Sequence, residues 1–372
     1  MPSVASAAPH PPTPPFTPTA TERFYSYNRY LQNTFGGKTY KVVVASGLTC
    51  PTRDGAISKG GCTFCDVRGS SSYNGKKGRG SEVIEQIRSR IDPIRQRFNA
   101  SHFLAYFQSY TNTYGEVPYL RSIYEAALSV PEIDGLCVGT RPDCLPDDVI
   151  DLLAELSERT YVSLELGVQS FENPTLEWFV RGHDGQSSID AIRKMRARAP
   201  KVHLCAHFIF GAPTDSVRAA RDAALILNDL GVEGAKLHQL MVLEHTTMGR
   251  QYREQPFKTL SLGEYGEVVR DFVDHLSPEI YIERLCANAT HPEECLAPDW
   301  SRERWTPHNR LRDLLNERGC LQGRALGTPS ARGAAISPNA KSPTSHPESI
   351  PENFAFGEIQ KMDENTPTDQ PR

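Results

Sequence analysis

Three of the nine cysteines in this chain stand at positions 50, 62 and 65, in the run Cys50-Pro-Thr-Arg-Asp-Gly-Ala-Ile-Ser-Lys-Gly-Gly-Cys-Thr-Phe-Cys65. Thiolates are soft metal ligands. Cys62 and Cys65 form a Cys-x-x-Cys pair, and Cys50 lies eleven intervening residues upstream. Gly55, Gly60 and Gly61 allow the backbone between them to fold tightly back, so that three sulfurs converge on one centre. Structural zinc needs four ligands in a closed tetrahedron, and no Cys or His lies between Cys65 and His102 to complete a knuckle. An ordinary iron–sulfur cluster takes four cysteinates. Three from a single loop suggest a four-iron cluster with one iron left open for another ligand. Spacing alone leaves the open cluster, half a zinc site and incidental thiols as competing readings.

Such a loop needs a rigid platform. The apolar run Lys41-Val-Val-Val-Ala-Ser46 before it reads as a buried strand. Strand and helix then alternate. Helical spacing of Val83, Ile84, Ile87 and Ile91 predicts a helix over 81–99, and 102–108 reads as a strand. Helix 119–130, strand 133–140 and helix 147–158 follow, the last with Val149, Ile150, Leu152 and Leu153 as its apolar face. Strands 161–168, 201–210 and 234–243 alternate with helices 187–197 and 216–230, the latter with Ala219, Ala223, Leu225 and Leu227 on its apolar face. Six such units imply an α/β fold, a partial (β/α)6 barrel of the TIM type, with chemistry at the C-terminal ends of its strands. The cysteine loop follows the first strand, as that rule requires.

Composition bounds the rest. Residues 1–21 are rich in Pro, Ala and Thr, and 321–372 in Pro, Ser and Asn. Both are expected to be disordered tails around a core over 22–320, with a small α/β extension from about residue 245. The first residues lack the apolar core of a signal peptide and the arginines of a presequence. No apolar run is long enough to span a membrane. A net charge of −4 gives no bulk case for nucleic-acid binding. Locally, Lys38, Lys41, Arg68, Lys76, Lys77 and Arg79 flank the cysteine loop and could receive phosphates; the competing reading of Gly75-Lys-Lys-Gly-Arg-Gly80 is a solvated turn. Scattered cysteines in odd number point to a reducing cytoplasm.

The combination resembles the radical S-adenosylmethionine (SAM) superfamily. The long insertion between the first two cysteines resembles its YhcC-like proteins and, more distantly, the radical SAM domain of the elongator catalytic subunit, which modifies wobble uridine in tRNA. The likeness runs from about Arg23 to Arg318. It rests also on Tyr106-Phe-Gln-Ser-Tyr-Thr-Asn-Thr-Tyr114, Thr140-Arg-Pro-Asp-Cys-Leu-Pro-Asp-Asp148, Leu164-Glu-Leu-Gly-Val-Gln-Ser170, Arg181-Gly-His183 and Phe208-Ile-Phe-Gly-Ala-Pro213.

The resemblance implies that Cys50, Cys62 and Cys65 hold a 4Fe-4S cluster whose fourth iron takes the methionyl amine and carboxylate of SAM. Reduction by an electron donor such as flavodoxin or ferredoxin would then give a 5′-deoxyadenosyl radical. By the same likeness Phe64 lies against adenine, and Ser109, Tyr110 and Thr111 lie near the methionyl amine. Gln169 faces the ribose hydroxyls, Arg181 the methionyl carboxylate, and His207 takes a position held in some relatives by an acid on the ribose. The competing readings are structural: Phe64 packs beneath the loop, Gln169 caps a turn, Arg181 ends a surface helix and His207 is a core histidine.

Lys236 and His238 match a Lys-x-His of the family and could face substrate. Beyond them the match thins, notably at Arg284-Leu-Cys-Ala-Asn-Ala-Thr-His-Pro-Glu-Glu-Cys295. There Cys286 and Cys295, with Cys320, raise a second metal site. The leading expectation is a radical SAM enzyme, with tRNA as a candidate substrate through the elongator likeness. Radical modification of a small metabolite or a protein side chain is the alternative. A non-catalytic iron–sulfur or zinc scaffold is the contrasting class.

Overall fold

The computed structural model describes residues 16–66 and 80–327. After a short helix α1 (Tyr27–Phe35), the chain runs β1 (Thr39–Val44), α2 (Gly80–Phe98), β2 (His102–Phe107), α3 (Val117–Leu128), β3 (Ile133–Thr140), α4 (Asp147–Ser157) and β4 (Tyr161–Gln169). Then come α5 (Asn173–Trp178), α6 (Gly185–Arg198), β5 (His203–Phe210), α7 (Ala219–Leu230), β6 (Gly234–Gln239), β7 (Val242–Leu243), α8 (Thr247–Glu254) and α9 (Leu262–His275). β8 (Tyr281–Ile282), β9 (Cys295–Ala297) and α10 (Thr306–Glu317) complete it. Seven strands lie in the order β1-β2-β3-β4-β5-β6-β8, all pairs parallel, and curl into a half barrel.

The expected alternation is what builds this sheet. β4 is buried at every position, as a strand covered on both faces must be. Outward side chains such as Val42, Phe103, Leu164 and Leu204 pack under Ile87, Leu120, Ile150 and Leu227 of the helices. Inward, Tyr30 of α1 and Tyr161 and Tyr281 of the strands plug the N-terminal end of the lumen. Above them four charges fill its centre. Lys41 Nζ lies 2.5 Å from Glu165 and 2.9 Å from Glu283, and Lys236 Nζ lies 2.8 Å and 2.7 Å from the same two carboxylates. The Tyr106 hydroxyl donates to Glu165 at 2.7 Å. Burial opposes ionisation of Glu165, but the two lysines overcome it and hold its carboxyl well below the ordinary range.

These contacts revise several expectations. Lys41 is not a surface phosphate ligand; it points into the lumen, because β1 turns Val42 and Val44 outward beneath the helices. Lys38 is exposed but precedes β1, at the strand end away from the cysteine loop. Arg68, Lys76, Lys77 and Arg79 lie outside the described residues. The expected strand 234–243 divides: β6 stops at Gln239, and β7 leaves the barrel to pair antiparallel with β9. A seventh strand, β8, extends the sheet past the expected six; two residues are too short to show a period. Leu225 faces solvent, 38% exposed, because the buried stripe of α7 runs through Ala219, Ala223 and Leu227.

Packing also reaches the edges of the core. Phe16 stacks on Tyr25 with ring centroids 5.0 Å apart. Gln322 accepts from the Tyr25 N–H at 2.7 Å and donates to the carbonyls of Ser277 and Ile280. Among the described residues no helix is long and apolar enough to cross a membrane.

Candidate active site

The C-terminal strand ends surround a cavity of about 290 Å³ that Cys50, Cys62 and Cys65 all line. The loop that carries them turns on Gly55, Gly60 and Gly61, with φ of 98°, 96° and 86°, a region closed to most other residues. It is pinned at several points. The N–H groups of Arg53 and Gly61 donate to the carbonyls of Cys50 and Thr52, both at 2.8 Å, and that of Thr63 donates to Phe179 at 3.0 Å. The Thr52 hydroxyl lies 3.1 Å from the sulfur of Cys50 and 3.9 Å from that of Cys62. Although burial works against it, the Thr111 and Thr52 hydroxyls lower the Cys50 thiol below its ordinary value.

The tops of the next strands are tied to this loop. Asn112 is fully buried, and its Nδ2 donates to the carbonyls of Phe107, Ser109 and Gly139 at 2.9–3.1 Å. Its Oδ1 accepts from Ser46 at 2.6 Å, so one side chain joins the ends of β1, β2 and β3. The Thr111 N–H donates to Thr49. Tyr110 and Thr111 line the cavity, whereas Ser109 is buried outside its lining, with Gln108 in its place. Tyr110 has φ 64° and stands beneath Arg53, 5.5 Å from ring centroid to guanidinium.

Two arginines, one just after β3 and one just after α5, are 2% and 5% exposed. Arg141 is clamped by Asp143 at 2.9 Å and 2.8 Å and donates to the Arg181 carbonyl at 2.6 Å and to Cys62 Sγ at 3.8 Å. Arg181 donates to the Gly167 carbonyl at 2.6 Å and to Cys62 Sγ at 3.4 Å. It has no carboxylate partner among the described residues, and its Nε is buried without a hydrogen bond. Gln169 closes β4 in the left-handed region, φ 68°, with its Oε1 likewise unpartnered. That backbone state is uncommon outside glycine and marks a position held by its surroundings. A Cβ on Gly167 would come within 2.8 Å of Gln169 Nε2 and 2.9 Å of Arg181 Nη2, so both side chains use space that only glycine leaves. Phe64 lines the cavity and also packs edge-on against Phe179, centroids 5.0 Å apart.

The opposite wall comes from β5, β6 and the chain after β8. His207 and His238 face each other with centroids 5.9 Å apart. Arg284 Nη2 donates to His207 Nε2 at 3.3 Å. Burial first, and the Arg284 charge second, push His207 well below its ordinary value and His238 down to about 3. The segment after Arg284 is laid over the cavity by Gln239, which donates to the Ala287 carbonyl at 2.6 Å and accepts from its N–H at 3.0 Å. Cys286, Cys295 and Cys320 do not gather. Cys295 faces the Ala297 and Pro298 carbonyls, Cys320 lies beside Asp274, and Cys286 lies near Arg284.

Every cavity residue named from the sequence except Ser109 therefore lines one chamber. Arg141, Asp143 and Asn112 were not singled out, although each sits inside a quoted motif. Residues 56–226 match the radical SAM superfamily, and residues 232–317 match the radical SAM C-terminal domain. Protein YhcC of Escherichia coli (strain K12) is 38% identical over 300 residues, 80% of this chain and 94% of that protein. Protein YtqA of Bacillus subtilis (strain 168) is 35% identical over 311 residues, 83% and 95% of the two chains.

This chain belongs to the radical SAM superfamily.

The family implies an iron–sulfur cluster and SAM. The superposition on the archaeal Methanocaldococcus infernus Elp3 has a TM-score of 0.58 at 16% identity, over 76% of this chain and 64% of that one, and bears on the fold alone. Over a shorter stretch the tRNA uridine(34) acetyltransferase of the same organism is 28% identical, across 137 residues, 36% of this chain and 25% of that protein. The radical SAM fold thus accounts for the half barrel, and the C-terminal match covers the segment that forms the second wall.

Proposed function

We propose that this chain is an enzyme that cleaves SAM reductively on a 4Fe-4S cluster held by Cys50, Cys62 and Cys65, and that it acts on a nucleoside of tRNA. The observation that carries the first part is the convergence of three thiols, a carboxylate-free buried arginine and an unpartnered glutamine in one cavity. Bound there, cluster and cofactor supply one-electron cleavage of the sulfonium and a carbon radical able to abstract hydrogen.

The residues fit that group. Arg181 is a buried cation with no ion pair among the described residues, suited to the methionyl carboxylate, and its Nε has a donor to spare. Gln169 Oε1 is an open acceptor at the height of the strand ends, suited to ribose hydroxyls. Phe64 and Tyr110 offer apolar and aromatic surface to a base. The Thr111 hydroxyl is buried without a hydrogen-bond partner among the described residues and lines the cavity, suited to the methionyl amine together with the strand-end carbonyls. Arg141 holds the Arg181 backbone and faces the Cys62 sulfur, which stabilises negative charge on the ligand set. His207 lines the same cavity beside Arg284, within reach of ribose or substrate. An external reductant, a flavodoxin or ferredoxin, delivers the electron.

The tRNA part draws on the likeness to the uridine(34) enzyme and to a protein named for tRNA-2-methylthio-N(6)-dimethylallyladenosine synthesis. Anaerobic reconstitution with iron and sulfide, followed by dithionite and SAM, tests the reaction: 5′-deoxyadenosine is released. Binding of one zinc and no iron under those conditions would falsify it. Comparing nucleosides of bulk tRNA from wild-type and deletion cells tests the substrate. Identical profiles, with no salt-dependent tRNA binding, move the substrate to a small metabolite.

A further inference from the structure

Of the four guanidinium groups that line this cavity, Arg53 is held on the Cys65 and Asp66 carbonyls and Arg141 is paired with Asp143; Arg181 and Arg284 have no ion pair among the described residues, and one cofactor carboxylate answers only one of them. Arg181 stands on the sulfur wall, in contact with Cys62. Arg284 stands on the wall of β5, β6 and β8. Its Nε donates to the Leu237 carbonyl at 3.2 Å and its Nη2 to His207 at 3.3 Å. Nη1 makes no hydrogen bond among the described residues.

The nearby acids are committed elsewhere. Glu283, its chain neighbour, lies 2.9 Å from Lys41 and 2.7 Å from Lys236, and Glu165 bridges the same two lysines. Two carboxylates against two ammonium groups leave that cluster neutral, and among the described residues neither they nor Glu294, a further carboxylate of the cavity lining, forms an ion pair with Arg284. His207 accepts from Arg284 through Nε2, so this imidazole orients the guanidinium without offering it negative charge. A cation with an open donor edge, fixed at its other edge by a carbonyl and an imidazole, is organised for a charge-assisted bond to an oxyanion.

We infer that Arg284, oriented by His207 and the Leu237 carbonyl, receives an anionic oxygen of the substrate, from a carboxylate or a phosphoryl group. The inference rests on the proposed reading of this cavity as the place where substrate meets cofactor. A neutral analogue of the same shape leaves the guanidinium desolvated and unpaired, so it is rejected.

The test uses full-length, cluster-reconstituted protein with SAM bound and with histidine labelled by 13C at Cε1; His207→Gln and His238→Gln assign the two signals. Sodium acetate and inorganic phosphate shift both signals saturably, and acetamide, matched in size to acetate, does not. Tighter phosphate than acetate assigns a phosphoryl group, and the reverse a carboxylate. Arg284→Gln weakens anion binding about ten- to a hundred-fold, whereas Arg284→Lys, which keeps the charge, loses less. Acetamide acting like acetate, or unchanged anion binding in Arg284→Gln, overturns the inference. So does a ten-fold loss of SAM affinity in Arg284→Gln with the acetate shifts intact, which would give Arg284 to the cofactor. The shifts are read without reductant, so failure of radical cleavage and failure of this site are separately visible.

Discussion

On one side of the cavity, the loop after β1 and the ends of β3 and β4 are locked by bonds among themselves: Arg141 to the Arg181 backbone, Arg181 to Gly167, Asn112 to three strand-end carbonyls. On the other side, His207, His238 and Arg284 project from β5, β6 and the chain past β8, under a segment held by Gln239. The first wall carries most of the motifs on which the resemblance to the superfamily rests. The second shares a Lys-x-His at 236–238 with it and departs from it over residues 284 to 295. The proposed division of labour accounts for that contrast. A wall that holds a shared cofactor has little freedom, and a wall that receives substrate can be rebuilt while the barrel beneath stays the same.

The largest test removes the first wall's thiols. Replacing Cys50, Cys62 or Cys65 by Ala should abolish iron binding and 5′-deoxyadenosine release together. Cys137→Ala and Cys205→Ala, buried within strands, should retain both; iron analysis and product chromatography decide. If all five variants behave alike, the sulfur wall holds no cluster.

The floor shared by both walls comes next. Lys236→Met leaves Glu165 and Glu283 with one lysine between them, and breaking a buried ion pair costs about 3–5 kcal/mol. Urea unfolding measures it, and a loss below about 1 kcal/mol would mean that water reaches the cluster.

Arg181→Ala probes the cofactor wall more finely. Loss of one charge-assisted contact, about 1.5–3 kcal/mol, should weaken SAM binding about ten- to a hundred-fold while the iron content stays normal. Unchanged affinity by titration calorimetry would detach Arg181 from the cofactor.

The smallest effect belongs to the imidazole wall. Fold burial and the Arg284 charge depress His238 to about 3, so between there and its ordinary value the unfolded chain binds the extra proton. Its contribution to stability is present at neutral pH and is lost as pH falls, with a slope of up to about 1.4 kcal/mol per pH unit. His238→Gln should flatten that slope between pH 6 and about 4; an unchanged slope in urea titrations would place the charge elsewhere.

Sequence periodicity was enough for the barrel because its helices bury regular stripes, such as Val149, Ile150, Leu153 and Leu156 of α4. The cysteine loop was legible for a different reason: thiols, glycines and spacing sit in one contiguous stretch. Lys41 was misread because alternation along β1 shows that it shares a face with Val43 but not which face is the lumen. Arg141 was overlooked because its role is made by distance in the chain: it holds a carbonyl of residue 181 and a sulfur of residue 62. Arg284 carries no local mark at all, since its lack of an ion pair among the described residues is apparent only after Glu283 and Glu165 have been paired off.

The ion pair of Lys41 with Glu283 has a consequence for assembly of the chain. β1 and β8 are the two edges of the sheet; Ile282 borrows its partner from the segment before α1, its N–H donating to the Tyr25 carbonyl at 2.7 Å. The edges therefore meet through side chains, across nearly the whole length of the fold. Contacts of such sequence separation carry the greatest loop-closure entropy and form after local strand–helix units have gathered. Closure of the lumen is thus the late step of folding. Until it happens Lys41 lacks one of its two acids, so a nascent chain released short of residue 283 would hold an open sheet with a charged interior.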